Sequence, residues 1–177
     1  MEIVIFTGLQ AAGKSTFYRT HFATTHEQVS KDLLRTKREP GLWQVRLIEA
    51  ALGEGRSVVV DNTNVTVADR ALLIAQGRRH GATIVGYSFA SSMPECLARN
   101  SQREGRACVP DIALYITAAK LVPPSYAEGF DVLYDVQIAG LALFAIARMP
   151  MSPGAGRGDD HELARLPGAT MALPLLR

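Results

Sequence analysis

Residues 8–15 read Gly-Leu-Gln-Ala-Ala-Gly-Lys-Ser and fit the pattern G-x-x-x-x-G-K-[ST] at every fixed position. Residues 2–7 (EIVIFT) are mostly apolar and β-branched, which predicts a buried strand. Residues 14–24 predict a helix. Glycines let successive backbone N–H groups point into one concavity, and a helix N-terminus adds its positive end to that anion site. The stretch therefore predicts a phosphate-binding loop for a nucleoside triphosphate.

Each residue of this loop has a predicted contact with ATP. Lys14 is placed to reach the β- and γ-phosphates, and the Ser15 hydroxyl is placed to bind Mg²⁺. The predicted ATP-binding residues are Gly8, Leu9, Gln10, Ala11, Ala12, Gly13, Lys14, Ser15 and Thr16. Only four of the 19 basic residues are lysines, which argues against a chance lysine in a glycine-rich turn. We therefore expect ATP and Mg²⁺ as cofactors.

Strand-like and helix-like segments alternate along the rest of the chain. Further strands are predicted at residues 27–30, 57–60, 82–89 and 132–138, and helical segments at 32–38, 42–52, 66–80, 111–121 and from residue 92. Two of these helices open with the spacing of a capping box, Thr66 with Asp69 and Ser92 with Glu95. The alternation predicts an α/β fold, in which a parallel sheet carries helices on both faces.

The sequence changes character after residue 138. The last 39 residues carry five glycines and four prolines and show little periodicity. We predict one functional domain over residues 1–138 and a tail over residues 139–177 that is mostly disordered. Residues 140–147 (GLALFAIA) are predicted to be able to form a short helix.

The composition excludes several classes of protein. A length of 177 residues and a net charge of +2 indicate one nearly neutral domain, not a polybasic protein that holds nucleic acid by bulk charge. The two cysteines do not make a disulfide framework, and the four scattered histidines do not form a zinc motif. The apolar runs are too short to cross a membrane, and no signal-peptide pattern is present. We expect a cytoplasmic protein with no membrane partner.

Two carboxylates follow predicted strands, where an open parallel sheet faces its ligand crevice. Asp61 ends the run Val-Val-Val-Asp and is a predicted metal ligand with Ser15, through water or by orienting Ser15; alternatively it caps the following turn. Asp32 is the best placed base to accept a proton from an acceptor hydroxyl, or it is a helix N-cap. Arg35 is placed to hold an acceptor phosphate, or to pair with Asp32.

Three arginines cluster after the fourth predicted strand, at positions 99, 103 and 106. Arginines on a mobile lid can stabilise the negative charge of phosphoryl transfer. Arg99 and Arg103 share a helix face, and a solvated helix face is the alternative interpretation. We predict a short arginine-bearing lid in which Arg103 is catalytic, Arg99 contacts ATP, and Arg106 is a secondary candidate.

Four runs of sequence, in this order and spacing, resemble the P-loop kinase domain of the polynucleotide 5′-hydroxyl kinases. They are GLQAAGKST (8–16), SKDLLR (30–35), VVVDNTN (58–64) with ADRA (68–71), and PPSYAEGF (123–130). The resemblance covers residues 1–138. It implies that Asp32 is the general base, that Arg35 contacts the acceptor's phosphate, and that Arg103 touches the ATP phosphates.

The resemblance also has departures. The Asp-x-Asp phosphatase motif of the family's bifunctional members is absent from the sequence, so no 3′-phosphatase activity is implied. Val65 replaces the proline common after DNTN. Asn64, within the DNTN run, is predicted with Arg35 to bind the substrate.

Three functions are compatible with the sequence. The leading hypothesis is an ATP-dependent kinase that phosphorylates the 5′-hydroxyl of DNA or RNA. The second keeps the kinase but gives it a nucleoside, sugar or other small hydroxyl metabolite, and the third is a nucleotide-binding module with slow ATP hydrolysis. Trp43 and Tyr126 can stack on an acceptor base or pack within the fold.

Overall fold

Within residues 1–34, 36–140 and 143–151, which the computed structural model describes, a six-stranded sheet forms the centre of the fold. The strands are β1 (Glu2–Thr7), β2 (Glu27–Val29), β3 (Val58–Val60), β4 (Thr83–Phe89), β5 (Val132–Gly140) and β6 (Leu143–Arg148). Their order is β2-β3-β1-β4-β5-β6. The first five pair in parallel, and β6 pairs antiparallel with β5. The predicted α/β fold class is confirmed.

Five α-helices occur in the same part of the chain. They are α1 (Lys14–His21), α2 (Pro40–Gly53), α3 (Val67–Arg79), α4 (Met93–Ser101) and α5 (Asp111–Lys120), with short 3₁₀ turns at Gly105–Ala107 and Tyr126–Glu128. Both predicted capping boxes form and start α3 and α4 by satisfying backbone N–H groups of the first turn. Among these helices, none has both the length and the apolar character that crossing a membrane requires.

Helices cover both faces of the sheet, and β1 runs between them. Ile3 and Ile5 belong to the core on one side, Val4 and Phe6 to the core on the other, and all four are 0% exposed. The first core includes residues of α2 and α3, and the second includes residues of α1, α4 and α5. Burial on both faces explains why the β1 sequence is almost continuously apolar.

The parallel pairing positions the functional loops. Ile5 of β1 is in register with Val60 of β3, which is in register with Val29 of β2. The loops that follow these three strands therefore leave the sheet at one edge. In a parallel α/β sheet this carboxyl edge is where ligands bind.

The helical segment predicted at residues 32–38 is absent from the described residues 32–34 and 36–38. Successive turns form there, closed by bonds from Leu34 N–H to the Lys31 carbonyl (3.1 Å) and from Lys37 N–H to the Leu34 carbonyl (2.9 Å). Helix α2 starts at Pro40, two residues before the predicted start at residue 42. A proline is tolerated in that position because the first N–H groups of a helix have no intrahelical partner.

The predicted helix at residues 140–147 is wrong, because residues 143–148 form strand β6. Its residues pair with β5, which itself continues to Gly140, past the predicted end of the domain at residue 138. The Phe144 ring packs edge-on against Phe17 of α1, with centroids 5.0 Å apart. Pairing with the free edge of β5 thus outweighs the local helical preference of a Leu- and Ala-rich run. Residues 152–177 of the predicted tail lie outside the described residues.

Candidate active site

The phosphate-binding loop between β1 and α1 depends on its glycines. Gly8 has φ +152° and Gly13 has φ +93°, while Ala11 between them has φ +59°. A Cβ atom on Gly8 would lie 2.9 Å from Cβ of Phe89. The Gly8 N–H donates to the Thr63 carbonyl at 3.0 Å, which ties the loop to the segment after β3. Both the backbone conformation and the close contact therefore require glycine at position 8.

The Lys14 side chain folds back over the loop. Its ammonium group donates to the carbonyl of Gly8 at 3.0 Å and to that of Leu9. The residue is 8% exposed. Burial lowers the pKa of Lys14 to about 8, and the Asp61 carboxylate opposes that shift. The ammonium group thus lies buried within the loop that is predicted to hold the phosphates.

Ser15 and Asp61, the predicted metal ligands, are in direct contact. The Ser15 hydroxyl donates to Oδ2 of Asp61 at 2.7 Å, and Nε2 of Gln28 donates to the same oxygen at 2.9 Å. Asp61 is 6% exposed, and its N–H donates to the Val29 carbonyl at 2.9 Å. Contacts from β2 therefore fix the carboxylate beside the loop. Gln28 was not singled out by sequence reasoning, because no motif marks it.

The oxygen atoms of Ser15 and Asp61 suit magnesium. Mg²⁺ prefers oxygen ligands and usually keeps several waters while it binds one or two carboxylates and the phosphates of a substrate. Groups of three or more His, Cys, Asp or Glu side chains that could hold a metal are absent from the part of the chain that the structure describes. The two residues thus fit a shared metal–phosphate site rather than a site made of protein ligands alone.

A single cleft of about 640 Å³ brings most of the predicted site residues together. Four segments far apart in sequence contribute to its lining: residues 10–16, residues 31–32, residues 61–64, and Arg103 with Ala107 and Val109. The first three follow β1, β2 and β3, whose carboxyl ends share one edge of the sheet. The topology therefore assembles the cleft from short loops on a buried scaffold.

Asp32, the predicted base, is exposed and lines this cleft. Its N–H donates to the Ser30 hydroxyl at 3.2 Å, and the N–H of Lys31 donates to Oδ1 of Asn62 at 2.9 Å. Burial lowers the pKa of Lys14, and the negative charge of Asp32 opposes that shift slightly. Arg35, the predicted phosphate-binding residue, lies outside the described residues.

Arg103 and Arg99, two of the arginines predicted for the lid, differ in their position relative to the cleft. Arg103 lines the cleft, where its charge lowers the pKa of Lys14, and its guanidinium donates to the Ala107 carbonyl at 3.4 Å. Arg99 is outside that lining and donates through Nε to the carbonyl of Ala11 at 2.8 Å. Arg99 therefore holds the phosphate-binding loop from α4. The side chain of Arg106 lies outside the described part of the chain.

Asn64, predicted to bind the substrate, is 6% exposed. It lines the cleft, but its side-chain amide donates to the Phe6 carbonyl at 2.8 Å, at the end of β1. Its φ of +41° is accepted more readily by asparagine than by most residues. The amide thus stabilises the segment after β3 against the start of the phosphate-binding loop.

A buried ion pair contacts the segment that follows β3, on which Asn64 lies. The guanidinium of Arg70 pairs with both carboxylate oxygens of Glu128, at 2.7 and 2.8 Å, and donates to the carbonyls of Asn64 and Val122, each at 3.0 Å. The side chain of Arg70 is 0% exposed and that of Glu128 is 7% exposed. Both residues lie in runs that carry the family resemblance, ADRA and AEGF, but the sequence alone predicts no role for them. These two runs join the DNTN segment in one hydrogen-bonded cluster.

Comparison with known proteins places the chain in a family. Residues 3–121 match the AAA domain family. The chain belongs to this family. The bifunctional polynucleotide phosphatase/kinase of Schizosaccharomyces pombe is 30% identical to this AAA domain over 141 residues, covering 76% of this chain and 33% of the relative. The chain thus spans about a third of that curated relative, and the predicted resemblance to the polynucleotide kinases is confirmed.

Solved structures share the fold of this AAA domain. A gluconokinase from Sinorhizobium meliloti 1021 has a TM-score of 0.56 at 18% identity, covering 80% of this chain and 85% of that protein. A fungal RNA kinase has a TM-score of 0.58 at 14% identity, covering 78% of this chain and 39% of that protein. At these identities the similarity establishes the architecture alone.

Proposed function

We propose that this protein is an ATP-dependent kinase that transfers the γ-phosphoryl group to the 5′-hydroxyl of DNA or RNA. One observation carries the proposal: a single cleft joins the buried Lys14, the Ser15–Asp61 pair and the exposed carboxylate of Asp32. A phosphate site beside a carboxylate that can act as a base is the arrangement that phosphoryl transfer to an alcohol needs. The relative named as a polynucleotide phosphatase/kinase favours a nucleic-acid acceptor. A cytoplasmic location stays a prediction.

The proposed mechanism assigns a role to each cleft residue. Residues 8–16 bind ATP, with backbone N–H groups other than that of Gly8 on its phosphates, and Lys14 turns from the loop carbonyls to the β- and γ-phosphates. Asp32 accepts the hydroxyl proton as the acceptor oxygen bonds to the γ-phosphorus and the bond to the β–γ bridging oxygen breaks, releasing ADP. Arg103 stabilises the negative charge on the transferring group. Arg35 holds a phosphate of the acceptor, and Asn64 keeps the neighbouring loop in place.

Ser15 and Asp61 would hold magnesium in this mechanism. The ion, when bound, neutralises charge on the phosphate oxygens. Asp61 acts on it from a fixed position, because Gln28 and Ser15 both donate to Oδ2 of its carboxylate. Arg99 holds the loop through its bond to the Ala11 carbonyl, and its predicted contact with ATP stays a prediction.

A small-metabolite acceptor is the second candidate. The near-neutral charge of +2 favours it, because proteins that bind nucleic acid through phosphate contacts usually carry an excess of cations. An acceptor screen with radiolabelled ATP separates the candidates, using 5′-hydroxyl oligonucleotides, nucleosides and sugars. Label on a metabolite but on no oligonucleotide would reject the polynucleotide proposal, and nucleotide binding without any labelled product would point to a regulatory module.

Two variants test the assignment of roles. Asp32→Asn should lower kcat by about 10²- to 10⁴-fold, the usual contribution of a general base, while ATP affinity measured by calorimetry stays close to wild type. Lys14→Ala should abolish transfer and also weaken ATP binding. Asp111→Asn removes the same charge from an exposed residue that does not line the cleft and serves as the control. Full activity in Asp32→Asn would remove the base assignment.

A further inference from the structure

One short segment carries the chain's excess of positive charge. Residues 31–46 contain five cations and two acids, whereas the remaining sequence contains 14 cations and 15 acids. Lys31, Lys37, Arg38 and Arg46 are all exposed within this segment. The protein is nearly neutral as a whole, but this segment, which contains Asp32, has a net positive charge.

The same segment exposes the chain's single tryptophan. Trp43 lies near the start of α2 and is 37% exposed, with Leu42 beside it 55% exposed. Nζ of Lys37 lies 4.6 Å from the Trp43 ring centroid, and Cζ of Arg46 lies 5.6 Å from it. Proteins hold single-stranded nucleic acid with exposed aromatic rings close to cations, since bases stack on the ring and phosphates pair with the cations.

Hydrogen bonds connect this surface to the cleft. Nδ2 of Asn62 donates to Oε1 of Gln44, the buried neighbour of Trp43, at 2.8 Å. Oδ1 of the same Asn62 accepts from the N–H of Lys31 at 2.9 Å. Asn62 and Lys31 both line the cleft. The start of α2 is therefore fixed to the cleft wall, and the basic surface begins beside the proposed base.

We infer that residues 36–46, with Lys31, form the binding surface for a single-stranded nucleic-acid acceptor, one base of which stacks on Trp43 while Lys37 and Arg46 pair with flanking phosphates. The inference rests on the proposed function and adds a specificity to it. A sugar or a nucleoside that fits within the cleft gains nothing from this surface. The protein should therefore discriminate among acceptors by strand length.

Intrinsic fluorescence tests the stacking without any catalysis. Because Trp43 is the single tryptophan, its emission reports on this surface alone. A 5′-hydroxyl oligothymidylate, added without ATP, should quench the emission, and added salt should reverse the effect. Lys37→Gln should weaken the binding, whereas Lys120→Gln, which removes the same charge from the end of α5, should leave it unchanged.

Steady-state kinetics supply the second readout. Trp43→Ala should raise KM for the oligothymidylate by about 5- to 150-fold, the fold-change that corresponds to losing one base–aromatic stack, with kcat and the KM for thymidine 3′-monophosphate unchanged. Tyr115→Ala, at a 52% exposed position on α5, is the control for removing a surface aromatic ring. Equal KM changes for the long and short acceptors would overturn the inference.

The outcomes separate the two proposals. Phosphorylation of the oligonucleotide with no quenching and no change of KM in Trp43→Ala would refute the surface and leave the kinase proposal standing. Quenching without phosphorylation of any oligonucleotide would refute the proposed acceptor and leave a nucleic-acid-binding surface. Neither quenching nor phosphorylation would refute both.

Discussion

The structure shows Lys14 in one position, and the proposed mechanism gives it a second position on the phosphates of ATP. Its ammonium group donates to the carbonyls of Gly8 and Leu9, inside the loop, and burial lowers its pKa to about 8 from an ordinary value of 10.5. A bound triphosphate would offer a stronger partner for the positive charge and raise that pKa again. The proposed mechanism therefore couples nucleotide affinity to the protonation of Lys14.

This coupling predicts a pH dependence of ATP binding. The free protein loses the Lys14 proton as the pH rises through about 8, whereas the complex keeps it, so binding above pH 8 must take up a proton. The affinity should fall about tenfold between pH 7 and pH 9. Calorimetry in two buffers of different ionisation enthalpy measures both the affinity and the proton uptake. Lys14→Arg, which stays charged throughout, should show neither effect; a flat affinity profile in the wild type would contradict the coupling.

The sequence predicts some residues of the site and misses others for a physical reason. Lys14, Ser15 and Asp61 are predictable because the phosphate-binding pattern and the strand before Asp61 set their positions along the chain. Gln28 and Asn62 are not, since their partners lie 33 and 31 residues away and only the sheet order brings them together. The bond from the Asn64 amide to the Phe6 carbonyl is visible only in three dimensions, and a contact of Asn64 with the substrate stays a prediction.

Helix α3 lies on the sheet at a distance set by one glycine. A Cβ atom at Gly77 would lie 2.5 Å from Cγ2 of Ile3 and 2.5 Å from Cδ1 of Ile84, on the two central strands β1 and β4. Glycine in a helix interior costs stability relative to alanine. Close packing of the helix on the sheet outweighs that cost here.

Two glycine-to-alanine substitutions test this explanation. Gly77→Ala should lower the free energy of unfolding by about 1–3 kcal/mol, the usual cost of overpacking a core. Gly53→Ala, at the end of α2, meets its nearest atom at 3.9 Å and should be neutral or stabilising by up to about 1 kcal/mol through helix propensity. Urea denaturation gives both values. Equal stabilities of the two variants would show that the packing distance is not set by Gly77.

Among the helices and strands, the sequence predicts correctly those features that depend on hydrogen bonds between neighbouring residues. The capping boxes place the starts of α3 and α4 correctly because their hydrogen bonds lie within four consecutive residues. The error at residues 140–147 arises because a strand at a sheet edge is selected by its partner rather than by its own propensity. The pairing partner of β6 is β5, and no local pattern identifies it.

Across the whole molecule, Arg70 and Glu128 connect α3 to the 3₁₀ turn before β5. A buried ion pair of this kind is costly to break, because removing one partner leaves the other charge without compensation. Arg70 also donates to the carbonyl of Asn64, which lines the cleft. Loss of the ion pair should therefore also disturb the cleft wall. The pair therefore links the stability of the fold to the shape of the site.

Breaking this pair should destabilise the protein strongly. Glu128→Gln leaves the buried Arg70 charged and should cost about 3–5 kcal/mol in the free energy of unfolding. The control Glu49→Gln breaks an exposed pair with Arg79, at 3.4 Å, and should cost less than about 1 kcal/mol. Arg70→Met combined with Glu128→Leu should recover much of the loss, because no unpaired charge remains. Similar denaturation midpoints for Glu128→Gln and Glu49→Gln would contradict this role.

The candidate nucleotide site is complete only once strand β6, late in the chain, has been synthesised. A Cβ atom at Gly13 would meet Ile138 of β5 at 3.0 Å and Phe144 of β6 at 3.3 Å, so the loop near the beginning of the chain rests on residues synthesised some 130 positions later. A ribosome that has released only the first strands and helices has therefore not yet produced a finished nucleotide cradle. We therefore expect the proposed ATP binding only after residue 144 has emerged from the exit tunnel.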